Sequence, residues 1–188
     1  MYCVRTSQIT EETIKNSRFI GIIAPCCTEA DGIALLKQFA AKHPNANHIA
    51  FAYRFNTPNG IKLRYFDAGE PRGTAGKPIY QHLEGKNLVN CIITVIRYFG
   101  GIKLGAGGLT RAYAGAAKRV IEASTLIPFV EYQSLRLKIA YNQLQLLEYQ
   151  LRQIDGKIVA QDFSDCIDIE VSIPAERFDQ FKKAFPAG

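Results

Sequence analysis

The 188-residue sequence lacks any apolar run close to the roughly 20 residues that a membrane-spanning helix requires. Its first residues, Met1 to Arg5, also lack the apolar stretch of a secretory signal. These absences predict a soluble cytoplasmic protein without a membrane partner. Hydrophobic residues make up 47% of the chain and charged residues 21%, a composition that supplies a core for one large or two small domains.

Residues that commonly bind metals or carry out covalent chemistry are few and poorly spaced. The cysteines at positions 3, 26, 27, 91 and 166 form neither a disulfide framework nor a C-x-x-C pair. The three histidines, His43, His48 and His82, lack metal-ligand spacing, and no G-x-S-x-G or Cys-His signature occurs. We therefore predict no metal, no cofactor and no catalytic residue, and we expect the cysteines to be reduced.

The net charge of +6 is unevenly distributed along the chain. Residues 54–119 contain 11 Lys and Arg against 3 Asp and Glu, whereas residues 131–188 contain 7 against 9. The whole positive excess therefore lies in the first half, which is typical of a protein with an anionic partner such as RNA. A basic surface that only keeps the protein soluble is the alternative, and charge alone does not decide between them.

The most distinctive segment runs from Arg97 to Arg111 and joins a predicted strand to a predicted helix. The strand, Val89 to Arg97, is nearly continuous in β-branched residues, which predicts a central strand covered on both faces. The helix is predicted over residues 109–123, and the glycines between the two would turn backbone N–H groups outward at its positive end. We predict an anion or nucleic-acid site formed by Arg97, Gly100, Gly101, Lys103, Gly105, Gly107, Gly108, Arg111 and Lys118. The alternative interpretation is that these glycines bind nothing and only allow the strand and the helix to pack closely.

A second loop, Asp67 to Pro78, is expected to contribute to the same surface. It is not a phosphate-binding Walker sequence, because Pro71 replaces the first glycine and Pro78 the Ser or Thr. Two of its carboxylates could form an acid/base pair, but capping of turns and of the next helix is the favoured interpretation. The loop residues that we assign to the candidate surface are Asp67, Glu70, Arg72, Thr74, Gly76 and Lys77.

The pattern becomes simpler after Pro128, which predicts one domain over residues 1–128 and another over 129–188. The second contains an alternating strand, an amphipathic helix, two strands around a tight turn, and a last helix. This β-α-β-β-α order predicts a ferredoxin-like domain without its final strand, which we expect to begin where the sequence ends, at Gly188. The resulting open sheet edge would allow a homodimer to form by strand addition.

Several motifs, taken in order, resemble those of the IMPACT (YigZ) family. They are Ser17-Arg18-Phe19, His43-Pro44 with His48, Asp67 to Pro71, Gly73 to Pro78, Arg97 to Gly101, and Gly105 to Leu109. One departure is Ala106, where the family usually has Thr. The chain is identified by these motifs as a bacterial two-domain member.

The resemblance implies an α+β protein whose first domain has the fold shared by a small-subunit ribosomal protein and a domain of elongation factor G. That fold is expected to have a mixed sheet with helices on one side. The resemblance also implies a ferredoxin-like second domain, similar to another elongation factor G domain. Both relatives work on ribosomal RNA, and eukaryotic family members regulate translation by competing for an activator of a starvation-response kinase.

Three functions stay open. The first is a non-enzymatic protein that binds RNA or the ribosome through the basic, glycine-rich surface. The second is a regulator of translation that binds a protein partner and does not touch RNA. The third is an enzyme that holds a phosphorylated small molecule on the glycine loop, although the sequence places no clear base, nucleophile or metal site beside that loop.

Overall fold

The structure, a computed structural model, describes residues 1–185 of the chain. It contains two compact units, of which the first is Met1–Phe129 and the second begins at Val130. Both units combine helices with a sheet, so the predicted α+β class is confirmed. Within residues 1–185, no helix is both long enough and apolar enough to cross a bilayer.

The first unit is built on a five-stranded sheet with the strand order β2-β3-β6-β4-β5. A separate two-stranded ribbon joins β1 to β7. The elements are β1 (Tyr2–Val4), β2 (Gln8–Ile14), β3 (Ser17–Pro25), α1 (Glu29–Lys42), β4 (His48–Thr57), β5 (Gly60–Phe66), α2 (Gly76–Gly85), β6 (Cys91–Tyr98), α3 (Gly105–Glu122) and β7 (Leu126–Pro128).

The sheet is antiparallel at every neighbouring pair, so the expected mixed sheet is wrong. Two tight turns explain part of this arrangement, since a turn of two residues can only join antiparallel neighbours. One is Lys15-Asn16 between β2 and β3, where both residues have positive φ angles of 44° and 62°. The other is Pro58-Asn59 between β4 and β5.

Helices cover both faces of this sheet, so the expectation of helices on one side is also wrong. Helix α1 packs through Phe39 against Ile20, Ile22 and Ile96. Helices α2 and α3 belong to the core on the opposite face, which includes Ile93. The physical reason lies in β6, whose residues 91–97 are all buried and which therefore needs cover on both faces, as its β-branched sequence predicts.

Helix α1 begins at Glu29, directly after Thr28. Its first turn is closed by a capping box, in which the Thr28 hydroxyl accepts a hydrogen bond from the Asp31 backbone N–H at 3.1 Å. The Asp31 carboxylate in turn accepts a hydrogen bond from the Thr28 backbone N–H at 3.2 Å. The positive end of this helix is thus neutralised by its own residues.

The second unit has a three-stranded antiparallel sheet with the order β8-β10-β9. Its elements are β8 (Tyr132–Ile139), a 3-10 turn (Tyr141–Gln143), α4 (Leu144–Gln153), β9 (Lys157–Phe163), β10 (Ile167–Pro174) and α5 (Ala175–Ala184). Both helices bury their apolar stripes on one face of this sheet, in the predicted ferredoxin-like β-α-β-β-α order. The predicted start of a final strand at Gly188 lies outside the described residues.

Candidate functional site

The glycine-rich segment forms a turn after β6 and then the first turn of α3. The helix begins at Gly105, four residues earlier than predicted. The chain reaches it through positive φ angles of 85° at Gly101 and 72° at Gly105, a backbone conformation that glycine adopts without strain. Gly107 lies in the first helical turn, where the backbone N–H groups have no partner within the helix, and Gly108 follows it.

The start of α3 has no side-chain cap among residues 1–185. No side chain of this range accepts a hydrogen bond from its first N–H groups, and its first turn contains no acidic residue. Gly105, Ala106 and Gly107 are exposed there. Helix α1 differs, because the side chains of its capping box accept hydrogen bonds from the N–H groups at its start. The start of α3 therefore offers free N–H donors and the positive end of a helix dipole, a combination that attracts anions.

Three cations surround these donors. Lys103 is exposed directly before the helix, and the Arg111 guanidinium lies 3.6 Å from the position that a Cβ atom at Gly107 would occupy. Lys15 lines, together with Arg111, a groove of about 350 Å³ between β2 and α3. None of these three cations forms an ion pair among residues 1–185. We call Lys15, Lys103, Gly105 to Gly108 and Arg111 the α3 N-terminal surface.

Lys118, another predicted site residue, lies apart from this surface. It is exposed on the same helix but about 20 Å from Gly105, at a rise of 1.5 Å per residue. Its ammonium group lies 3.8 Å from the carboxylate of Glu122. The structure therefore does not bring Lys118 together with the start of α3.

Arg97 was predicted to contribute to the anion or nucleic-acid site, but the structure buries it. The residue is only 4% exposed, and its Nη1 donates a hydrogen bond to Glu70 Oε1 at 2.7 Å. Its guanidinium lies between the rings of Phe19 and Phe99, 5.4 Å from each centroid. Arg97 is therefore a buried structural cation and is not available to a partner.

Glu70 is the centre of a buried polar cluster that sequence reasoning did not find. Its Oε1 also accepts a hydrogen bond from the Tyr113 hydroxyl at 2.7 Å, and His48 Nε2 lies 3.7 Å away. Burial, together with the hydrogen bond to Glu70, raises the pKa of Tyr113 far above its usual value, so the hydroxyl stays protonated and remains a donor. Tyr113 shares the buried face of its helix with apolar residues such as Leu109 and Ala116, a pattern that gives no signal of a polar role.

Ser17 joins the same cluster to the glycine-rich turn. Its hydroxyl accepts hydrogen bonds from the Gly100 backbone N–H at 3.1 Å and, more weakly, from Arg97 Nη2 at 3.4 Å. A Cβ atom at Gly100 would lie 2.0 Å from the carbonyl carbon and oxygen of Asn16. Gly100 therefore serves close packing, whereas a Cβ atom at Gly107 would make only an ordinary contact with Arg111.

Asp67 caps helix α2, as the favoured interpretation of its loop predicts. Its Oδ1 accepts hydrogen bonds from the N–H groups of Ala75 at 3.1 Å and Gly76 at 2.8 Å, and its Oδ2 accepts one from Gly73 at 2.8 Å. Burial alone would raise the pKa of Asp67, but the three N–H donors and the charge of Arg72 together hold it below its usual value. The positive end of α2 is thus already occupied by this carboxylate.

The remaining residues of the second loop divide into exposed and buried groups. Arg72 and Lys77 are exposed, so they are accessible to a partner. Thr74 is buried, and its hydroxyl donates a hydrogen bond to the Pro71 carbonyl at 2.7 Å. Gly76 is also buried and lies against the backbone of Phe66. Only the two cations of this loop can therefore contribute directly to a basic surface.

Two glycine substitutions separate packing from accessibility. Gly100→Ala should destabilise the first unit by about 1–3 kcal/mol or more, because the new Cβ atom would clash with the Asn16 backbone. Gly107→Ala should be neutral or stabilising by up to about 1 kcal/mol, since alanine favours helix and the new Cβ atom would meet only an ordinary contact with the Arg111 side chain. Urea denaturation of both variants measures the difference, and equal effects would contradict these assignments.

Substitution of Asp67 should reveal its capping role through pH. Because its pKa is lowered in the folded state, the carboxylate stabilises the protein above its unfolded pKa of about 3.9 and loses this effect as the pH falls through the folded pKa. Asp67→Asn should therefore reduce the unfolding free energy by about 0.5–2 kcal/mol at neutral pH. The difference from wild type should shrink below about pH 4, as measured by urea denaturation across pH. A difference independent of pH would argue against capping by the charged form.

Comparison with protein-family models identifies both parts of the chain. Residues 15–121 match the Impact N-terminal domain, and residues 137–186 match a domain of unknown function, DUF1949. The first match includes the α3 N-terminal surface, the buried Glu70 cluster and the Asp67 loop.

Individual relatives match almost the whole chain. IMPACT family member YigZ of Escherichia coli is 37% identical over 178 residues, which cover 90% of this chain and 84% of that protein. YvyE of Bacillus subtilis is 32% identical over 97% of this chain and 83% of its own length. A crystal structure described as that of an hypothetical protein is 33% identical, with a TM-score of 0.73 over 97% of this chain and 89% of the other. The resemblance predicted from the sequence motifs is confirmed, and the chain belongs to the IMPACT family.

Proposed function

We propose that this chain is a non-enzymatic protein that binds RNA, either free or in the ribosome, as part of translation or its regulation. The α3 N-terminal surface makes the phosphate contacts in this proposal. The observation that carries it is an uncapped helix start with three nearby cations that form no ion pair among residues 1–185. Phosphate oxygens accept hydrogen bonds both from backbone N–H groups and from cationic side chains.

The contrast between the helix starts of the first unit supports this surface over others. Helices α1 and α2 already receive carboxylates from Asp31 and Asp67. At α3 an anion would have to come from outside the described residues of the chain. The cations also belong to separate segments, with Lys15 before β3 and Lys103 and Arg111 around the start of α3. Cations from separate segments can neutralise different phosphates of a polyanion.

The connection with translation rests on family membership. The motifs imply relatives of two elongation factor G domains and of a small-subunit ribosomal protein, which work on ribosomal RNA. Eukaryotic family members regulate translation through a protein partner, so a protein-binding regulator is the alternative that the experiment must separate from RNA binding. An enzyme acting on a phosphorylated small molecule is the other alternative.

Charge reversal at the α3 N-terminal surface should weaken RNA binding and reduce its salt dependence. We expect Lys103→Glu and Arg111→Glu each to lower the affinity for a single-stranded RNA oligonucleotide. Each should also reduce, by about 1, the steepness with which the logarithm of the association constant falls against the logarithm of the salt concentration. Lys37→Glu is the matched control, because Lys37 is exposed on α1, on the opposite face of the sheet. Fluorescence anisotropy at several salt concentrations, repeated with purified ribosomes, measures both quantities.

Other results would favour the alternatives. Equal losses in Lys37→Glu and Arg111→Glu would mean that only net charge matters, and absence of RNA and ribosome binding at low salt would reject the proposal. A protein partner that is retained after nuclease treatment while RNA binding is absent would favour the protein-binding regulator. Thermal stabilisation by nucleotides or sugar phosphates, lost in Arg111→Glu, would favour the enzyme.

A further inference from the structure

Strand β5 is an edge strand with an unusual surface. It pairs with β4 on one side and is the last strand of the five-stranded sheet on the other, within residues 1–185. All seven of its residues are exposed. Four are large and apolar, with exposed fractions of 38–51%: Ile61, Leu63, Tyr65 and Phe66. Edge strands usually avoid this combination of free backbone groups and apolar side chains, because it invites pairing with another chain.

The two faces of β5 have different chemistry. Tyr65 lies 5.7 Å from the ring of Tyr80, which places it on the α2 side of the sheet. Alternation puts Ile61 and Leu63 on that same side. Lys62 forms an ion pair with Glu29 of α1, so it lies on the opposite side together with Arg64. The edge therefore presents an apolar row on the α2 face and a basic row on the α1 face.

The basic row argues against a second copy of this chain as the partner of β5. The strand contains two cations and no acidic residue. Glu29 pairs with Lys62, whereas Arg64 forms no ion pair among residues 1–185. Pairing of β5 with itself would bring cations against cations across the new ladder, which is destabilising. A strand with acidic side chains on this face would instead gain opposite-charge pairs.

We propose that β5 is a docking edge for an extended segment of a partner protein, in which acidic and apolar residues alternate. The segment adds as a sixth strand, and its backbone pairs with the free N–H and C=O groups of β5. Its acidic side chains lie beside Lys62 and Arg64, and its apolar side chains lie beside Ile61, Leu63 and Tyr65. The surface is distinct from the α3 N-terminal surface and does not depend on RNA binding.

Synthetic peptides test this proposal directly on the full chain. The probe is an acetylated and amidated eight-residue peptide of alternating Val and Glu. The controls are an alternating Val and Lys peptide and a peptide with the four Val and four Glu residues in two blocks. We expect the alternating Val and Glu peptide to bind at least about tenfold more tightly than either control. We also expect it to increase hydrogen-exchange protection at alternate amides of β5, whose N–H groups point away from β4.

Variants of β5 identify the contacts. Arg64→Glu should lower affinity for the Val and Glu peptide and raise it for the Val and Lys peptide, whereas Lys37→Glu, with the same change in net charge, should do neither. Leu63→Lys should weaken binding without unfolding the protein, because its side chain is already 45% exposed. Far-UV circular dichroism and thermal melts check that each variant remains folded.

Three outcomes would overturn the proposal. They are equal binding of the three peptides, protection that falls outside β5, and concentration-dependent dimerisation that Leu63→Lys abolishes. The last would make a second copy of the chain the occupant. Retention of RNA binding in Leu63→Lys, with loss of peptide binding, would show that the two surfaces act separately.

Discussion

The buried pair of Glu70 and Arg97 is the interaction on which the first unit depends. Each side chain is no more than 5% exposed, and a charge buried to this extent without a partner would destabilise the fold by several kcal/mol. Glu70 comes from the loop after β5, Arg97 from the central strand, and Tyr113 from α3. One carboxylate therefore holds a loop, a strand and a helix in a single arrangement, and it fixes where α3 begins relative to the sheet.

Two loops of the first unit have different roles despite similar composition. Both are rich in glycine and contain cations. In the loop that holds Glu70, a second carboxylate, Asp67, is placed to cap α2. The loop before α3 contains no carboxylate, so the start of α3 remains open to an external anion. The presence or absence of one internal acid therefore separates a structural helix start from a candidate binding site.

Hydrophobic patterns predicted the central strand β6, helix α3 and the element order of the second unit, because burial on one or both faces of an element leaves a regular pattern in its sequence. The α+β class and the family were likewise predictable from patterns and motifs. The sheet arrangement was not, since pairing partners are set by long-range contacts such as that of Ser17 with Gly100. The burial of Arg97 was also beyond local reasoning. Its charge suggested a surface position, and its partner Glu70 lies 27 residues away in the sequence.

The strand order has a consequence for synthesis of the protein on the ribosome. Strand β6 lies between β3 and β4 but follows both in the chain. At a synthesis rate of roughly 5–20 residues per second, roughly 4 to 15 seconds pass between synthesis of the last residue of β3 and completion of β6. Until then β3 and β4 both present unpaired backbone edges within an incomplete sheet. The first unit must therefore fold late, as a whole, and a chain stalled before Tyr98 would expose the edges that its finished form conceals.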